Sequence, residues 1–532
     1  MFDVAIYGGS LAGCAAAVNT ARGLGRKRLV LINPEPTPGR LGGIATVGGQ
    51  NFFDIRRWRG TPPQRGSFAR WRSQVGDFYK TDYFSDILCG ELDSLTNVSI
   101  RHQYDIEWVS LDCSGGSGSI RDLVIRGVRR DECGWVRWAH PHTRRVVSAR
   151  VFIDASDHGR LALRSDPSNS VGRYDWPSEY LDPSERMCRD LGRQQVATLM
   201  FKVVGVARVD NPDMSFSTDA RGSVGCWGGR RTCTTDPVVI GFNNRHGPRG
   251  FAIKPLNAAQ DGPGSREWWV NTLLVFNVDG RAFERDRGTA CYPAVMRPDY
   301  RNVDEAWVGA RGFLRRNRRE FLRALRRFPG FAGVDFVYGE DGYPRVGDVL
   351  YLRETIHTAR CWEDIANGTE DTNYEVSTVE SVQAGDSPDS GADAANYPSR
   401  VGLGYYWSDI NAYQFRDLRG PDGRYDFSVA ARLRPDLGIV PGSPDNPVYL
   451  PYECLISRYA ENLLVPGYAV GCSAFAWSEM RVFPNLCVLG DAAGVAAAYA
   501  ARKGLPPRRF SLRDIARVQE ELVSGADARI DK

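Results

Sequence analysis

Histidines are the first candidates for proton transfer in this sequence. The unperturbed pKa of imidazole is about 6.5, so a histidine can give or take a proton near neutral pH. His140 and His142 stand in a predicted hairpin turn, where we expect them to be solvated. His158 follows a predicted strand-to-helix turn and His357 lies in the block RETIHTAR, so these two are the better acid–base candidates. A histidine hydrogen-bonded to the backbone is the alternative for either.

Two charged pairs lie inside otherwise apolar blocks, Arg353 with Glu354 and Glu479 with Arg481. Buried charges persist only when they are paired, so one interpretation is a structural ion pair at each position. A planar guanidinium can also orient a carboxylate or carbonyl group of a substrate. Because Arg481 stands just before a glycine-rich block, we favour this second interpretation for it.

A glycine turn near the start of the chain has the pattern of a phosphate-binding loop. The apolar run Phe2 to Tyr7 leads into GGSLAG and then into an alanine-rich segment. Gly8 permits a sharp exit from the strand, Ser10 stands where a second glycine lets a pyrophosphate approach, and Gly13 allows close packing of helix on sheet. The helix N-terminus then presents a partial positive charge to phosphates. The alternative is an ordinary turn in a Rossmann-like domain.

The acidic residue that binds an adenosine ribose is expected about 20 residues beyond this turn. That position is occupied by Asn33, and Glu35 follows two residues later. Asn33 can accept a hydrogen bond from a ribose hydroxyl, or Glu35 can reach the same hydroxyl. In the alternative, Asn33 merely caps the proline-rich loop that follows.

The elements that position these residues follow a strand–turn–helix–strand order. A helix is predicted from Cys14 to Arg22, ended by Gly23, and the strand Leu29 to Ile32 completes a βαβ unit. A glycine-dense loop from Gly39 to Asp54 follows, in which the backbone can approach a planar or phosphate-bearing ligand without Cβ clashes.

Later segments alternate between sheet and helix patterns. Residues 98–150 predict two or three β-hairpins, and 166–338 predict short strands followed by a helix from Asn302 to Arg327. Residues from Asn485 to Gly504 predict a second strand, glycine turn and helix, so the first domain is expected to be built from both ends of the chain. The acidic stretch Gly368 to Pro398 has little periodicity and predicts a mobile loop or lid.

The amino-acid composition argues against several classes of protein. The 532 residues carry a net charge of only +4, which argues against a nucleic-acid or membrane-surface partner, and the arginines of the Asn302 to Arg327 helix are interpreted as a solvated face. The 12 cysteines form no C-x-x-C pair and no metal-ligand spacing, so we expect free thiols and no metal. No run approaches the 18 or so apolar residues of a membrane span. A cytoplasmic protein is expected.

Six blocks occur in the order found in FAD-dependent oxidoreductases, and in these blocks the sequence resembles that family. That family is part of the broad glutathione-reductase-like superfamily. The resemblance is closest to its bacterial members related to fumarate-reductase flavoproteins. The blocks are GGSLAG, GRLGGIATVGGQN, VFIDASDHGRLA, YLRETIHTARCWED, ENLLVPGYAVG and SEMRVFPNLCVLGDAAGVAAA. The resemblance implies non-covalently bound FAD as the cofactor.

The resemblance also implies which residues hold the cofactor. It assigns the pyrophosphate to the first glycine turn, the ribose to Asn33 or Glu35, and the flavin end to the glycine loop and the Gly-Asp motif. In the second turn, Ser156 and Asp157 replace the usual Thr-Gly pair of the superfamily. The implied cofactor residues are Gly8, Ser10, Gly13, Asn33, Glu35, Gly42, Gly43, Thr46, Gly48, Asp154, Ala155, Ser156, Gly490, Asp491 and Gly494.

The same resemblance bears on catalysis. Related sequences carry an Asp-x-His pair where this chain has Asp409, Ile410 and Asn411, so a general base kept there would have to be Asp409. The catalytic candidates are therefore His357, Arg481 and Asp409, with Gly494 expected to open a helix whose positive end stabilises the reduced flavin.

Together these features predict an α/β fold: a discontinuous, Rossmann-like FAD-binding domain and a second, β-rich α+β substrate domain. The predicted segments are 1–165, 340–365 and 450–532 for the FAD domain, and 166–339 with 366–449 for the substrate domain and acidic loop. We expect hydride transfer between a small organic substrate and flavin N5. The alternatives are a flavin monooxygenase that uses transiently bound NAD(P)H and oxygen, and a non-catalytic binding protein that keeps the fold.

Overall fold

The structure is a computed structural model that describes residues 1–113, 118–165, 169–358, 397–439, 442, 444 and 446–532. All statements below about what the structure contains refer to these residues. The predicted acidic loop falls almost entirely outside them.

The strands, in chain order, are β1 (Phe2–Tyr7), β2 (Leu29–Asn33), β3 (Val98–His102), β4 (Tyr104–Asp112), β5 (Ser119–Arg130), β6 (Val136–Trp138), β7 (Arg145–Asp154), β8 (Ser170–Val171), β9 (Ala197–Val204), β10 (Met214–Thr218), β11 (Val224–Gly228), β12 (Phe251–Gln260), β13 (Glu267–Val275), β14 (Val278–Asp279), β15 (Arg301–Asn302), β16 (Asp335–Phe336), β17 (Ile356–His357), β18 (Arg400–Gly404), β19 (Val448–Pro451) and β20 (Leu463–Leu464).

The α-helices are α1 (Leu11–Leu24), α2 (Ser67–Val75), α3 (Thr81–Asp93), α4 (Arg160–Ser165), α5 (Pro183–Met187), α6 (Arg230–Thr235), α7 (Pro237–His246), α8 (Val303–Arg316), α9 (Arg318–Leu325), α10 (Val429–Leu433), α11 (Ala474–Met480), α12 (Phe483–Lys503) and α13 (Leu512–Gly525).

The first sheet has the parallel core expected of a dinucleotide-binding domain. Its strand order is β3-β2-β1-β7-β5-β4, and β20 pairs in parallel with β7. The strands β1, β2, β3 and β7 run parallel, whereas β5 pairs antiparallel with both β4 and β7. The predicted α/β class with a Rossmann-like part is confirmed, and the carboxyl ends of β1, β2 and β7 meet at one edge, where such sheets bind ligands.

The second sheet is antiparallel, in the order β10-β11-β12-β13-β9-β16. Helices α8 and α9 cover one of its faces with apolar side chains such as Phe313 and Phe321. The pairing of β12 with β13 and the pairing of β13 with β9 are both irregular, because extra residues interrupt the register after Ile253 and Val270. This is the predicted β-rich second unit.

The segment 350–352 lies between the two cores. Leu350 and Leu352 pack in the core of the second sheet, whereas Tyr351 packs in the core of the first. Alternate side chains of an extended segment point in opposite directions, so this short piece joins the two units.

Several predicted elements differ from the structure. Val98–His102 is a parallel strand beside β2 and not part of a hairpin, and the Asn302 to Arg327 helix is two helices that break at Asn317. Helix α1 begins at Leu11 and runs through Gly23 to Leu24. The predicted strand and turn before Gly494 are wrong, because Phe483–Lys503 is one continuous helix.

No single helix among the described residues is long and apolar enough to cross a membrane. Helices α11 and α12, which meet at an angle of 100°, satisfy the length and composition criteria only as a bent pair.

Candidate functional site

The first glycine turn is built for close backbone packing. Gly8 has φ 106°, a left-handed conformation that favours glycine, and a Cβ there would lie 2.6 Å from the Ser156 amide nitrogen. A Cβ on Gly13 would overlap the Gly8 carbonyl oxygen. Ser10 caps α1: its Oγ accepts from the Gly13 amide at 3.3 Å and donates to the Ala155 carbonyl at 2.6 Å. The turn therefore holds the helix N-terminus directly at the sheet edge, with first-turn amides that have no acceptor within the helix.

The second turn closes against the first. Asp154 at the end of β7 accepts hydrogen bonds from the Ser156 amide at 3.0 Å and the Ser156 hydroxyl at 2.6 Å, and its other oxygen accepts from the Ala162 amide at 2.8 Å. The carboxyl group of Asp154 is thus used within the turn. Asp157, which follows Ser156, is held against the glycine loop. Burial raises the pKa of Asp157 to about 7.

Asn33 and Glu35 have different environments in the structure. The Asn33 amide donates to the Arg40 carbonyl at 2.7 Å and accepts from the Glu35 amide at 3.3 Å, so Asn33 closes the loop that follows β2. Glu35 instead lines a partly open cavity together with Asp157 and His158. Its Oε2 is buried without a hydrogen-bond partner, and burial, reinforced by Asp157 and Asp348, raises its pKa to about 8.

The glycine loop lies between the first turn and the second unit. The Gly42 amide donates to the Gly9 carbonyl at 2.7 Å, and the Thr46 hydroxyl donates to the Leu41 carbonyl at 2.6 Å. Further along, the Asp348 amide donates to the Val47 carbonyl at 2.8 Å. Gly43 faces Asp157, since a Cβ there would lie 3.0 Å from the Asp157 carboxylate, and Gly48 lies so close to Gly347 that a Cβ on the latter would overlap the Gly48 carbonyl.

Gly490, Asp491 and Gly494 occupy a helix–helix contact. A Cβ on Gly490 would meet the Ala12 carbonyl, and one on Gly494 would meet the Ala16 carbonyl, so both glycines let α12 lie against α1. Asp491 accepts from the Asn19 amide at 2.6 Å and from the Ser67 amide at 2.9 Å, and burial raises its pKa to about 7. These three residues therefore pack the middle of α12 against α1 and hydrogen-bond it to its neighbours.

Arg481 is held at the junction of the two units. Its guanidinium, 3% exposed, donates to the Tyr351 hydroxyl at 2.6 Å and to the Asp409 carboxylate at 2.6 Å. Burial by itself would lower the pKa of Arg481, but Tyr351 and Asp409 outweigh it and raise that pKa. Asp409 is 44% exposed, so the cluster opens outward on this side. The alternative of an Arg481–Glu479 ion pair does not hold, because Arg481 pairs with Asp409 and Glu479 accepts from the Ser408 hydroxyl at 2.6 Å.

Arg353 and Lys254 interact electrostatically with this cluster, and the sequence analysis did not single out Lys254. The Arg353 guanidinium donates to the Val196 carbonyl at 2.6 Å and lies 4.8 Å from the centre of the Tyr351 ring. Among the described residues no carboxylate lies within 4 Å of it, so the predicted Arg353–Glu354 pair is wrong. Burial, reinforced by Arg481, lowers the pKa of Arg353 to about 10. The signal for Lys254 in the sequence was its rarity, since the chain has only six lysines.

His357 lies in a separate buried group. Its Nε2 is 3.3 Å from Glu354 Oε1, which the Tyr413 hydroxyl contacts at 3.4 Å, and its Nδ1 is buried without a partner. The ring packs 6.1 Å from that of Trp477, whose Nε1 donates to the Arg353 carbonyl at 2.7 Å. His357 is thus connected through Trp477 to Arg353, which lies beside the Arg481 cluster.

His158 lies at the other end of the site, between the rings of Tyr7 and Phe283, and burial lowers its pKa to about 3. The His158 ring is therefore uncharged near neutral pH.

The residues present fit an extended dinucleotide with polar groups at both ends. Buried polar atoms without a partner occur at the cavity, on Glu35 and His158, and again at the junction, on Arg353, Tyr468 and Arg481. Asp157 interacts electrostatically with both Glu35 and Tyr468 and so lies between the two ends. Unsatisfied buried polar atoms are costly, and a ligand along this path would satisfy them.

Comparison with known proteins identifies the family. A family model described as FAD dependent oxidoreductase matches residues 3–522. No curated protein matches the chain in sequence. The chain therefore belongs to the FAD dependent oxidoreductase family, it is an enzyme, and FAD is its cofactor.

Solved structures with a similar fold include flavoproteins of several kinds. The myxobacterial chondrochloren halogenase, an FAD-dependent halogenase, is 14% identical with a TM-score of 0.30, over 65% of this chain and 63% of the halogenase. The p-nitrophenol 4-monooxygenase of Pseudomonas putida is 13% identical with a TM-score of 0.28, over 66% of each chain. A mutant of P. aeruginosa PqsL is 12% identical with a TM-score of 0.33, over 98% of this chain and 91% of that one. The chain thus spans less than two thirds of the length of the halogenase and of the monooxygenase.

Proposed function

We propose that this enzyme transfers a hydride between a small organic substrate and N5 of non-covalently bound FAD, and that the substrate lies beside Arg481 at the junction of the two units. The bound flavin supplies the two-electron chemistry. The chain supplies the positioning of both reactants, since a hydride donor and acceptor must approach to about 3 to 3.5 Å.

In this proposal the first-turn amides of α1 bind the pyrophosphate, with Gly8 and Gly13 keeping the turn tight. Glu35 binds the adenosine ribose, because it lines the cavity and its Oε2 has no partner, whereas the side-chain amide of Asn33 is used in its own loop. The loop from Gly42 to Gly48 and the second turn at Asp154 to Ser156 shape the path between the two ends. Gly490, Asp491 and Gly494 contribute by packing α12 on α1.

The observation that carries the proposal is the Arg481 cluster. Three segments far apart in sequence, at Tyr351, Asp409 and Arg481, meet in one hydrogen-bonded group at the domain junction. Ligand sites favour such junctions. A buried guanidinium fixed from two sides can orient a carboxylate or carbonyl group with little further loss of side-chain freedom.

The test is a substrate screen that follows bleaching of the bound flavin without oxygen. A compound that bleaches the wild-type enzyme should bleach Arg481→Met at least 100-fold more slowly, with FAD content and melting temperature retained. The proposal requires flavin reduction without oxygen. An enzyme that consumes oxygen only with NADPH and hydroxylates its substrate would instead be a monooxygenase, and the hydride-transfer proposal would fall.

His357→Ala serves as the comparison, because His357 lies near the cluster but contacts Glu354 and not Arg481. Unchanged reduction by His357→Ala with loss in Arg481→Met would confine the substrate to the Arg481 side. Loss of FAD from either variant would return that residue to a structural role.

A further inference from the structure

Lys254 on β12 is only partly buried and is placed differently from Lys202, the buried lysine of the second sheet. Lys202 on β9 donates to Asp261 and Glu267, both at 2.7 Å, so its charge is fully paired. The Lys254 ammonium contacts only backbone carbonyls, those of Pro255 at 3.1 Å and Asn271 at 3.4 Å. Among the described residues, no carboxylate lies within 4 Å of its Nζ. Carbonyl oxygens accept hydrogen bonds but do not compensate a buried charge as a carboxylate does.

The backbone at Lys254 is irregular and is linked to the glycine loop. Lys254 follows the point where the register of β12 on β13 is interrupted, and the Thr272 hydroxyl donates to the Lys254 carbonyl at 2.5 Å. Such bulges re-aim a side chain and occur next to active sites. Asn271, whose carbonyl accepts from Lys254, also donates through its amide to Gln50 at the end of the glycine loop at 3.2 Å. Lys254 is thus linked to the cofactor side of the junction.

Four charged or titratable groups from different parts of the chain act on Lys254. Asp54 follows the glycine loop, Asp409 and Arg353 belong to the Arg481 cluster, and Cys233 lies on α6. Burial, reinforced by Arg353, lowers the pKa of Lys254 to about 7, although the two aspartates and the cysteine act in the opposite direction. Asp54 has a pKa raised to about 6, by burial and then by Asp409.

We propose that Lys254 is the proton acceptor and donor of the reaction, exchanging a proton with the heteroatom of the substrate as the hydride is exchanged with FAD. When an alcohol or amine is oxidised, the hydride leaves its carbon with both electrons of the C–H bond for FAD. The proton of the O–H or N–H bond passes to the neutral amine of Lys254, which becomes an ammonium. In the reverse direction the ammonium returns that proton. This inference rests on the proposed hydride transfer.

The choice of lysine supports this role. All other cations of the cluster are arginines, which stay protonated at every working pH, and nearly all cations of the chain are arginines. A lysine that serves only as a fixed charge could be an arginine. A lysine that must lose its proton could not.

The first measurement is the protonation of Lys254 in the FAD-bound enzyme. Reductive methylation with ¹³C-formaldehyde labels the six lysines and the N-terminus, and comparison with Lys254→Arg assigns the Lys254 resonance. We expect this resonance to titrate near pH 7. A Lys254 resonance that titrates above pH 9 would overturn the proposal.

The second measurement is the rate of anaerobic flavin bleaching by the compound found in the screen. The wild-type rate should rise with pH through about 7, as the amine loses its proton. Lys254→Gln and Lys254→Arg should both be slower by about 10² to 10⁴-fold and lose this pH dependence. Lys202→Arg, the matched control, should keep the wild-type rate and profile.

The outcomes separate the two proposals. If Lys254→Arg keeps the wild-type rate and pH profile, Lys254 is a fixed charge and the inference is wrong, while hydride transfer stands. If no compound bleaches the wild-type flavin, hydride transfer fails and the role of Lys254 fails with it.

Discussion

Glu35 and Asn33 show how two neighbouring polar residues can be told apart only by their partners. Asn33 is 0% exposed and its amide is used within its own loop, whereas Glu35 keeps a free oxygen in the cavity. A buried acceptor without a partner costs about 1 to 3 kcal/mol, which a ribose hydroxyl would recover.

Glu35→Ala should therefore weaken FAD binding about tenfold or more, because it removes the group that meets the ribose. Titration of apoprotein with FAD, followed by flavin fluorescence, measures the dissociation constant. Glu132→Ala is the control, since Glu132 is an exposed carboxylate of the same sheet region. If Asn33→Ala weakens FAD binding and Glu35→Ala does not, the ribose contact belongs to Asn33.

Helix α12 is buried and packs closely against α1, so it tolerates only small residues at the contact. Phe483–Lys503 is buried along most of its length and crosses α1 at Gly490 and Gly494, where the two backbones approach. In such crossings small residues permit contact that any larger side chain would prevent. The position of α1, and thus of the phosphate-binding turn at its N-terminus, depends on this contact.

Gly490→Ala should lower the free energy of unfolding by about 1 to 3 kcal/mol, because the added Cβ would overlap the Ala12 carbonyl and push α12 from α1. Gly90→Ala on α3 is the matched control. A Cβ there meets nothing within 4 Å, so this change should stabilise by about 0.5 to 1 kcal/mol through helix propensity. Urea unfolding of both variants measures the difference. Equal stability of the two variants would show that α12 can shift without cost.

At the scale of the whole molecule, the cofactor path runs from the parallel sheet to the junction with the antiparallel sheet. The glycine loop touches both, through Gly42 to the first turn and through Val47 and Gln50 to the second unit. A ligand that fills this path contacts both units, so its binding free energy stabilises them together.

FAD should consequently raise the melting temperature of the apoprotein in a single transition, by an amount equivalent to about 2.7 kcal/mol at 100 times its dissociation constant. FMN and NAD should have much smaller effects, since neither spans both ends of the path. Differential scanning calorimetry with each nucleotide measures this. Flavin that stays in the pellet after acid precipitation would contradict the proposed non-covalent binding.

Features that depend on local chemistry could be predicted from the sequence. The order of apolar run, glycine turn and alanine-rich helix predicted β1, α1 and β2 because turns and helix starts are set by neighbouring residues. Family, cofactor and enzyme class followed from blocks spread along the chain. Tertiary contacts set the partners: Arg481 pairs with Asp409 and not Glu479, α12 is helical through its glycines, and Lys254 interacts electrostatically with the Arg481 cluster. Those outcomes depend on contacts between residues far apart in the chain, and on burial, neither of which periodicity or spacing encodes.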